Sequence, residues 1–163
     1  VYDDALFAGC GVARGPKHSS LIYTQSRQMP CYTSHMARGL LQTTAQERIH
    51  AIKKGLSYGV FETLAEELNL SSGALAQIIN VPSRTLQRRK QEGIFPSDES
   101  DRLFRLVRLL ERSKEVLGKE GADWLTTPKK FLGGQTPLHF SDTEAGAWEV
   151  NQALGRLEHG VFL

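Results

Sequence analysis

The sequence predicts an all-α protein, in which an N-terminal helix-turn-helix domain precedes a small helical C-terminal domain. Apolar residues recur at spacings of three and four from about position 44 onward, and Gly and Pro separate these periodic segments. No segment shows the sustained alternation of apolar and polar residues that is typical of a strand. We divide the chain into residues 1–40, 41–118 and 119–163.

Composition excludes several classes of protein. The 163 residues are 40% hydrophobic, enough for a core, but no apolar run approaches the roughly 20 residues of a membrane span. No secretory signal opens the chain, so we expect a cytoplasmic protein without membrane contact. Cys10 and Cys31 are interpreted as free thiols.

The sequence gives no support for an enzyme. The histidines and cysteines lack metal-ligand spacing, and there is no P-loop, dinucleotide fingerprint or nucleophile elbow. We therefore expect no catalytic residue, no metal and no cofactor.

Residues 1–40 show no sustained period and carry scattered Gly, Ser, Pro and Thr. We expect this segment to be disordered or a non-native extension. The chain begins at Val1, and Met36 is an alternative start.

Capping signals delimit the first helices. Thr44-x-x-Glu47 predicts a capping box at the start of the first helix, which ends at Lys53-Lys54-Gly55. A second helix is predicted from about Tyr58 to Leu68. A third follows Ser71.

Asn80-Val81-Pro82 breaks the third helix, because proline disfavours helix for the residue before it. Ser83 is placed to cap a fourth helix, and Ser97 to cap a long fifth helix that ends at Gly118. The leucine stripe at 103–117 is interpreted as intramolecular core, with a dimer seam as the alternative. Arginines flank this stripe and would border the seam or contact the DNA backbone: Arg102, Arg105, Arg108 and Arg112.

The C-terminal third contains short helices joined by Gly/Pro turns. One is predicted around 123–125, another opened by Thr127-Pro128, and a longer one opened by Ser141-x-x-Glu144 and ending at Gly160. Gly133-Gly134 predicts a chain reversal that Pro137 follows. We interpret Trp124 and Trp148 as core anchors.

The strongest mechanistic signal is a helix-turn-helix between Leu75 and Arg89. Ala76 is small enough for a helix crossing, and Ile79, Val81 and Leu86 form a hydrophobic lock. The second helix presents side chains that suit contacts with base edges, for which the candidates are Ser83, Arg84, Thr85, Gln87 and Arg88. Arg89 and Lys90 are assigned to phosphate. Because the net charge is only +2, we expect a homodimer to read a two-fold operator.

The last predicted helix leads into an apolar tail. Its polar residues Arg156, Glu158 and His159 precede Val161-Phe162-Leu163. Three apolar residues in succession are costly to leave in water, so we expect them to dock on this chain or on a partner.

A longer pattern spans this region. It consists of Trp124-Leu125, Pro128, Leu132-Gly133-Gly134-x-Thr136-Pro137-Leu138, Glu144-x-Gly146, Val150 and Leu154-Gly155-Arg156-x-Glu158-His159-Gly160. With this pattern, residues from about 44 to 163 resemble the Xre/MbcA/ParS-type antitoxins of bacterial type II toxin–antitoxin systems. Residues 1–40 fall outside the resemblance.

The resemblance implies a homodimeric antitoxin that binds the operator DNA of its own promoter and represses its operon. Its C-terminal domain would cover the active site of a cognate RES-domain toxin, which consumes NAD+. From the apolar tail and the polar side chains beside it, our own hypothesis is that the segment from Leu157 to Leu163 is the inhibitory wedge. The expected toxin-binding residues are Arg156, Leu157, Glu158, His159, Gly160, Val161, Phe162 and Leu163. Residues implied to shape that domain are Trp124, Gly133, Gly134, Pro137 and Gly146. The alternative is a stand-alone helix-turn-helix transcription regulator, whose C-terminal module senses a ligand or serves dimerisation.

Overall fold

The computed structural model of the protein describes residues 39–160. The expectation for residues 1–40 lies outside the described residues, apart from positions 39 and 40, which are helical together with 41 and 42. In the described part of the chain all regular structure is helical, except for one isolated antiparallel β-bridge between Ser57 and Ile94. The predicted all-α fold is confirmed. No helix in this part is long and apolar enough to cross a membrane.

Eight α-helices follow one another along residues 45–158, with two short 3₁₀ turns between the later ones. They are α1 (Ala45–Lys54), α2 (Tyr58–Glu67), α3 (Ser72–Ile78), α4 (Ser83–Glu92), α5 (Ser97–Leu117), the 3₁₀ turn Gly118–Glu120, α6 (Gly121–Thr126), the 3₁₀ turn Lys130–Leu132, α7 (Pro137–Phe140) and α8 (Glu144–Glu158).

The predicted capping box opens α1. The Thr44 hydroxyl accepts a hydrogen bond from the Glu47 amide at 3.3 Å, and the Glu47 carboxylate accepts one from the Thr44 amide at 2.8 Å. The Thr44 amide and the Thr44 hydroxyl both donate hydrogen bonds to the Glu47 carboxylate, and these two bonds lower the pKa of Glu47 below its usual value. Gly55 ends the helix at a φ of 106°. No side chain of α1 is fully buried, and Ile49 is 53% exposed.

Prolines take the capping positions that the sequence assigned to two serines. Ser83 and Ser97 are the first residues of α4 and α5, and the N-cap residues are Pro82 and Pro96. Both prolines are in the extended conformation of an N-cap residue, and neither helix has a side-chain hydrogen bond at its cap. The prediction that these serines cap the helices is wrong.

The start of α8 is also later than predicted. The Ser141 hydroxyl donates a hydrogen bond to the Pro137 carbonyl at 2.7 Å and so belongs to the end of α7. Thr143 caps α8, because its side-chain oxygen accepts a hydrogen bond from the Gly146 amide at 3.2 Å. Thr127-Pro128 opens no α-helix. The chain is extended at Thr127 and continues into the 3₁₀ turn Lys130–Leu132.

Helix α5 is the centre of the fold and packs against α1, α6 and α8. Its apolar stripe lies in the interior of this chain, with Leu103, Leu106, Val107 and Leu110 all buried. The interpretation of the stripe as intramolecular core is confirmed. The same hydrophobic cluster reaches from α2 and α3 through α5 to α6, α7 and α8, so the C-terminal helices share their core with the N-terminal ones.

Two glycines allow close packing around α5 and α8. A Cβ atom on Gly121 would lie 2.6 Å from the backbone of Ser113 in α5, and one on Gly146 would lie 1.7 Å from the carbonyl oxygen of Phe140. Backbone atoms cannot rotate away from such a contact. Glycine is therefore required where α6 meets α5 and where α8 meets the end of α7.

Candidate functional site

Helices α3 and α4 form the predicted helix-turn-helix. Ala76 is 2% exposed where the helices approach, and Ile79, Val81 and Leu86 are also buried. Asn80 makes the turn with a φ of 54°, and the Val81 amide donates a hydrogen bond to the Ala76 carbonyl at 2.8 Å. These are the residues that the sequence assigned to the crossing and to the lock.

Most of the candidate DNA-contacting side chains of α4 point outward. Exposed residues are Ser83, Arg84, Gln87, Arg88 and Lys90, and Thr85 is half-buried. Arg88 lies 3.7 Å from Glu92, one turn further along the exposed face. The surface presents guanidinium, amide and hydroxyl groups, which are the groups that contact base edges and phosphates.

Arg89 has a different environment. Its guanidinium donates two hydrogen bonds to the carboxylate of Glu99, at 2.8 and 2.9 Å, and a third to Glu92 at 2.8 Å. Its side chain is only 13% exposed. The hydrogen bonds to Glu99 and Glu92 raise the pKa of Arg89 above its usual value. The assignment of Arg89 to a phosphate contact does not fit this geometry, because its donors hold α4 against α5.

The arginines of α5 that flank the leucine stripe bind within the chain. Arg102 donates hydrogen bonds to the carbonyls of Ile79, at 2.8 Å, and Asn80, at 3.3 Å. It thereby satisfies two carbonyl groups at the end of α3 and stabilises the turn before α4. Sequence reasoning missed this role, because the paired atoms are more than 20 positions apart.

The other arginines of the series connect α5 to α8. Arg105 and Arg108 both contact the carboxylate of Glu144, at 2.9 and 3.2 Å. Arg112 contacts the carboxylate of Glu158 at 2.5 Å, and its hydrogen bond lowers the pKa of Glu158. These ion pairs tie both ends of α8 to α5. These arginines form ion pairs within the chain, which does not fit the prediction that they border a dimer seam or contact DNA.

A groove of about 1000 Å³ lies between α7 and the first turns of α8. Phe140 and Trp148 contribute its aromatic surface, and Asp142 and Glu149 contribute carboxylates. Trp148 is 56% exposed, so its interpretation as a core anchor is wrong. The buried face of α8 is filled by smaller side chains, and the exposed indole lines the groove.

The remaining predicted features of the C-terminal part form its framework. Trp124 is half-buried against the core, and Lys129 Nζ lies 5.2 Å from its ring centroid. Gly133 and Gly134 make the chain reversal at φ values of 66° and 83°, and buried Pro137 begins α7.

The end of α8 exposes several predicted toxin-binding residues. Arg156, Glu158, His159 and Gly160 are exposed, and Leu157 is half-buried. Residues 161–163, which are Val161, Phe162 and Leu163, lie outside the described part of the chain. Between 39 and 160 no three His, Cys, Asp or Glu side chains form a cluster that could hold a metal ion.

Two domain families match this architecture. Residues 47–108 match the antitoxin Xre-like helix-turn-helix domain, and residues 114–160 match the antitoxin Xre/MbcA/ParS C-terminal toxin-binding domain. The first match contains α3 and α4 with their exposed polar face, and the second contains the groove and the end of α8. Fold and sites together define an antitoxin with a DNA-binding helix-turn-helix and a toxin-binding domain.

Similar proteins carry the same description. The chain is 34% identical over 128 residues to an antitoxin Xre of Yersinia enterocolitica, which covers 76% of this chain and 86% of that protein. An antitoxin Xre of Photorhabdus laumondii is 30% identical over 114 residues, 68% of this chain and 77% of that protein. One from Pseudomonas putida is 34% identical over 86 residues, 51% of this chain and 54% of that protein. The chain belongs to the Xre antitoxin family.

Proposed function

We propose that this antitoxin neutralises an NAD+-consuming RES-type toxin by covering its active site, and that it represses its own operon through α4. The observation that carries the proposal is the juxtaposition of two matched domains, one with an exposed polar helix and one ending in an exposed helix terminus. No group of this chain needs to react, since an inhibitor that fills a cleft acts by exclusion.

The inhibitory element is the segment from Leu157 to Leu163. Helix α8 ends with Arg156 and His159 exposed, so both side chains are free to meet a partner surface. Three apolar residues follow directly in the sequence. Arg156 would pair with an acidic side chain at the rim of the toxin's cleft, and the apolar residues would occupy the part of the cleft that receives a flat apolar ring.

Operator binding is assigned to Ser83, Arg84, Thr85, Gln87 and Arg88, with Lys90 on phosphate. A single copy exposes few cations on α4, because Arg89 is paired internally. Two copies related by a two-fold axis would double the number of contacts and match a palindromic operator. Helix α1 offers a surface for such a homodimer, since it exposes Ile49 and buries none of its own side chains completely.

The test is expression of the neighbouring gene of the same operon in bacteria, with growth and cellular NAD+ measured. Three antitoxin forms are compared: full length, Arg84→Ala with Arg88→Ala, and a truncation after Gly155. The first two are expected to restore growth and NAD+, and the truncation is not. A reporter driven by the operon's promoter is expected to be repressed by the full-length form and not by the Arg84→Ala, Arg88→Ala variant.

Each part of the proposal can fail separately. Toxicity without NAD+ loss would refute the assignment of a RES-type partner. Full rescue by the truncated form would refute the inhibitory role of residues 157–163. Unchanged promoter activity in the presence of the full-length protein would refute autorepression.

A further inference from the structure

The groove between α7 and α8 has the properties of a binding site. Its volume of about 1000 Å³ is sufficient for several side chains of a partner, and its lining residues include two aromatic side chains of the Phe/Trp/Tyr type, Phe140 and Trp148. All its lining residues lie within positions 135–149. It is therefore built entirely inside the matched toxin-binding domain.

Trp148 is not required by the interior of its own chain. The inward face of α8 is filled by Ala147, Val150, Ala153 and Leu154, none of which is more than 2% exposed. The indole is 56% exposed on the groove side. Large apolar side chains at the centre of a concave surface are the typical anchors of protein interfaces, and Trp is among the most enriched.

The carboxylates at the groove are available to a cation. None of the ion pairs among residues 39–160 includes the Asp142 or Glu149 carboxylate. Arg105 reaches Asp142 only through the main-chain carbonyl, at 3.0 Å, and Glu144 occupies the guanidinium groups of Arg105 and Arg108. The groove thus combines an aromatic surface with unpaired negative charge, which favours an occupant with an apolar side chain next to Lys or Arg.

We propose that this groove is an anchoring site for the toxin, and that it receives a toxin segment with an apolar side chain flanked by Lys or Arg. The inference rests on the proposed function, because it takes the toxin as the occupant of the matched domain. It adds a second contact that is distinct from the inhibitory segment. Arg156 lies eight positions beyond Trp148 on α8, which corresponds to about 12 Å along the helix axis.

The two contacts have separable roles in this arrangement. The groove provides affinity, because it buries an aromatic anchor away from the toxin's active site. The segment from Leu157 onward provides inhibition, because it covers that active site. Loss of the anchor is expected to weaken binding while leaving inhibition complete at saturating antitoxin. Truncation after Gly155 is expected to leave binding at the groove intact and to abolish inhibition.

The experiment measures binding of the purified full-length antitoxin to the protein encoded by the neighbouring gene, by isothermal titration calorimetry. Trp148→Ala is expected to raise Kd by about 30-fold or more, the range of an interface anchor. Phe131→Ala is the matched control, because Phe131 is a 42% exposed aromatic of the same domain outside the groove. The Kd of the Phe131→Ala variant is expected to stay within about twofold of that of the unaltered protein.

A second variant tests the charge of the groove. Asp142→Asn with Glu149→Gln is expected to raise Kd at low salt, and this difference is expected to shrink as salt is added, because screening weakens ion pairs with the toxin. Both groove variants are expected to unfold at the temperature of the parent, since the altered side chains are exposed. Equal Kd values for Trp148→Ala and Phe131→Ala would overturn the anchoring site.

Inhibition of NAD+ consumption is then measured at saturating concentrations of each form. Complete inhibition by Trp148→Ala would support separate roles for anchor and inhibitory segment, and its loss at full occupancy would overturn that separation. Failure of the proposed function has a different signature. If the protein truncated after Gly155 still inhibits, the assignment of the inhibitory segment is refuted. The comparison of Kd values for the groove variants would still test the anchoring site.

Discussion

Replacement of Gly146 by Ala tests the contact that places α8 beside α7. The added Cβ would lie 1.7 Å from the carbonyl oxygen of Phe140 and 2.8 Å from its carbonyl carbon. In proteins a Cβ atom is essentially never found within 3.0 Å of a heavy atom outside its own residue, its two chain neighbours and the nearby backbone of its own helix. Helix α8 would therefore have to move by at least about 1.3 Å, against a packed core that resists such displacement.

The expected cost follows from what that movement disrupts. It separates buried Ala147 and Val150 from their neighbours and breaks the hydrogen bond from the Gly146 amide to Thr143. Overpacking of a core costs about 1–3 kcal/mol, and a clash with backbone belongs at the upper end or beyond. For a chain of this size, about 3 kcal/mol lowers the unfolding temperature by about 6–12 °C.

Gly155→Ala is the matched control on the same helix. A Cβ at Gly155 has no heavy atom within 4 Å, and alanine is favoured over glycine in a helix interior by about 1 kcal/mol. This variant is expected to unfold about 2–4 °C higher than the parent. Thermal and urea unfolding followed by circular dichroism measures both variants. A Gly146→Ala protein as stable as the parent would refute the described approach of α8 to Phe140.

Three further outcomes are expected. Arg84→Ala with Arg88→Ala should lower operator affinity at least about 100-fold in a mobility-shift assay, because each base contact contributes about 1–3 kcal/mol. The unfolding temperature should stay unchanged, since both side chains are exposed. Retained affinity would exclude α4 as the helix that contacts the operator bases. Arg89→Ala should instead destabilise the protein by about 3 kcal/mol in urea unfolding, because it leaves the buried carboxylate of Glu99 without its partner. A loss of DNA binding at unchanged stability would contradict the structural role of Arg89. Carboxyl NMR titration should show the pKa of Glu158 below its usual value, because Arg112 donates a hydrogen bond to its carboxylate. This pairing stabilises the fold above the usual pKa of a glutamate and is lost as the pH falls through the lowered value. Arg112→Ala should raise the pKa of Glu158 toward its usual value, and an unchanged titration in that variant would argue against the ion pair.

Much of the secondary structure could be predicted because its signals act within a few residues. The Thr44 and Glu47 pair caps α1, and Ser71 caps α3 by accepting a hydrogen bond from the Ala74 amide at 3.2 Å. Gly118 ends α5 as expected. The helix-turn-helix belongs to the same category, because its crossing residue and lock lie within one short segment whose periodicity is visible in the chain.

The wrong capping assignments share a physical cause. Ser83, Ser97 and Ser141 each stand near a helix start and are of a favoured residue type. At the first two sites the preceding proline already holds extended backbone, and at the third the hydroxyl bonds back to the end of α7. A residue type shows that a cap is possible, but the backbone path decides which residue takes the position.

The sites depended more strongly on tertiary structure. A side chain's partner can be far away in the chain: Arg89 and Glu99 are 10 positions apart, and Arg112 and Glu158 are 46 apart. A guanidinium looks the same in sequence whether it reaches phosphate or a carboxylate of its own chain. The exposure of Trp148 likewise depends on which face of α8 the core occupies.

The all-α class, the helix-turn-helix and the outward set of polar residues on α4 can be derived from the amino-acid sequence, because short-range capping and helical periodicity encode them. Three other features become visible only when the helices are packed: Arg89 holds α4 against α5, the α5 arginines tie α8 to the central helix, and Trp148 faces a groove. These features depend on how distant helices pack. Local sequence preference does not specify which of several equally apolar or equally charged faces meet when the core is closed.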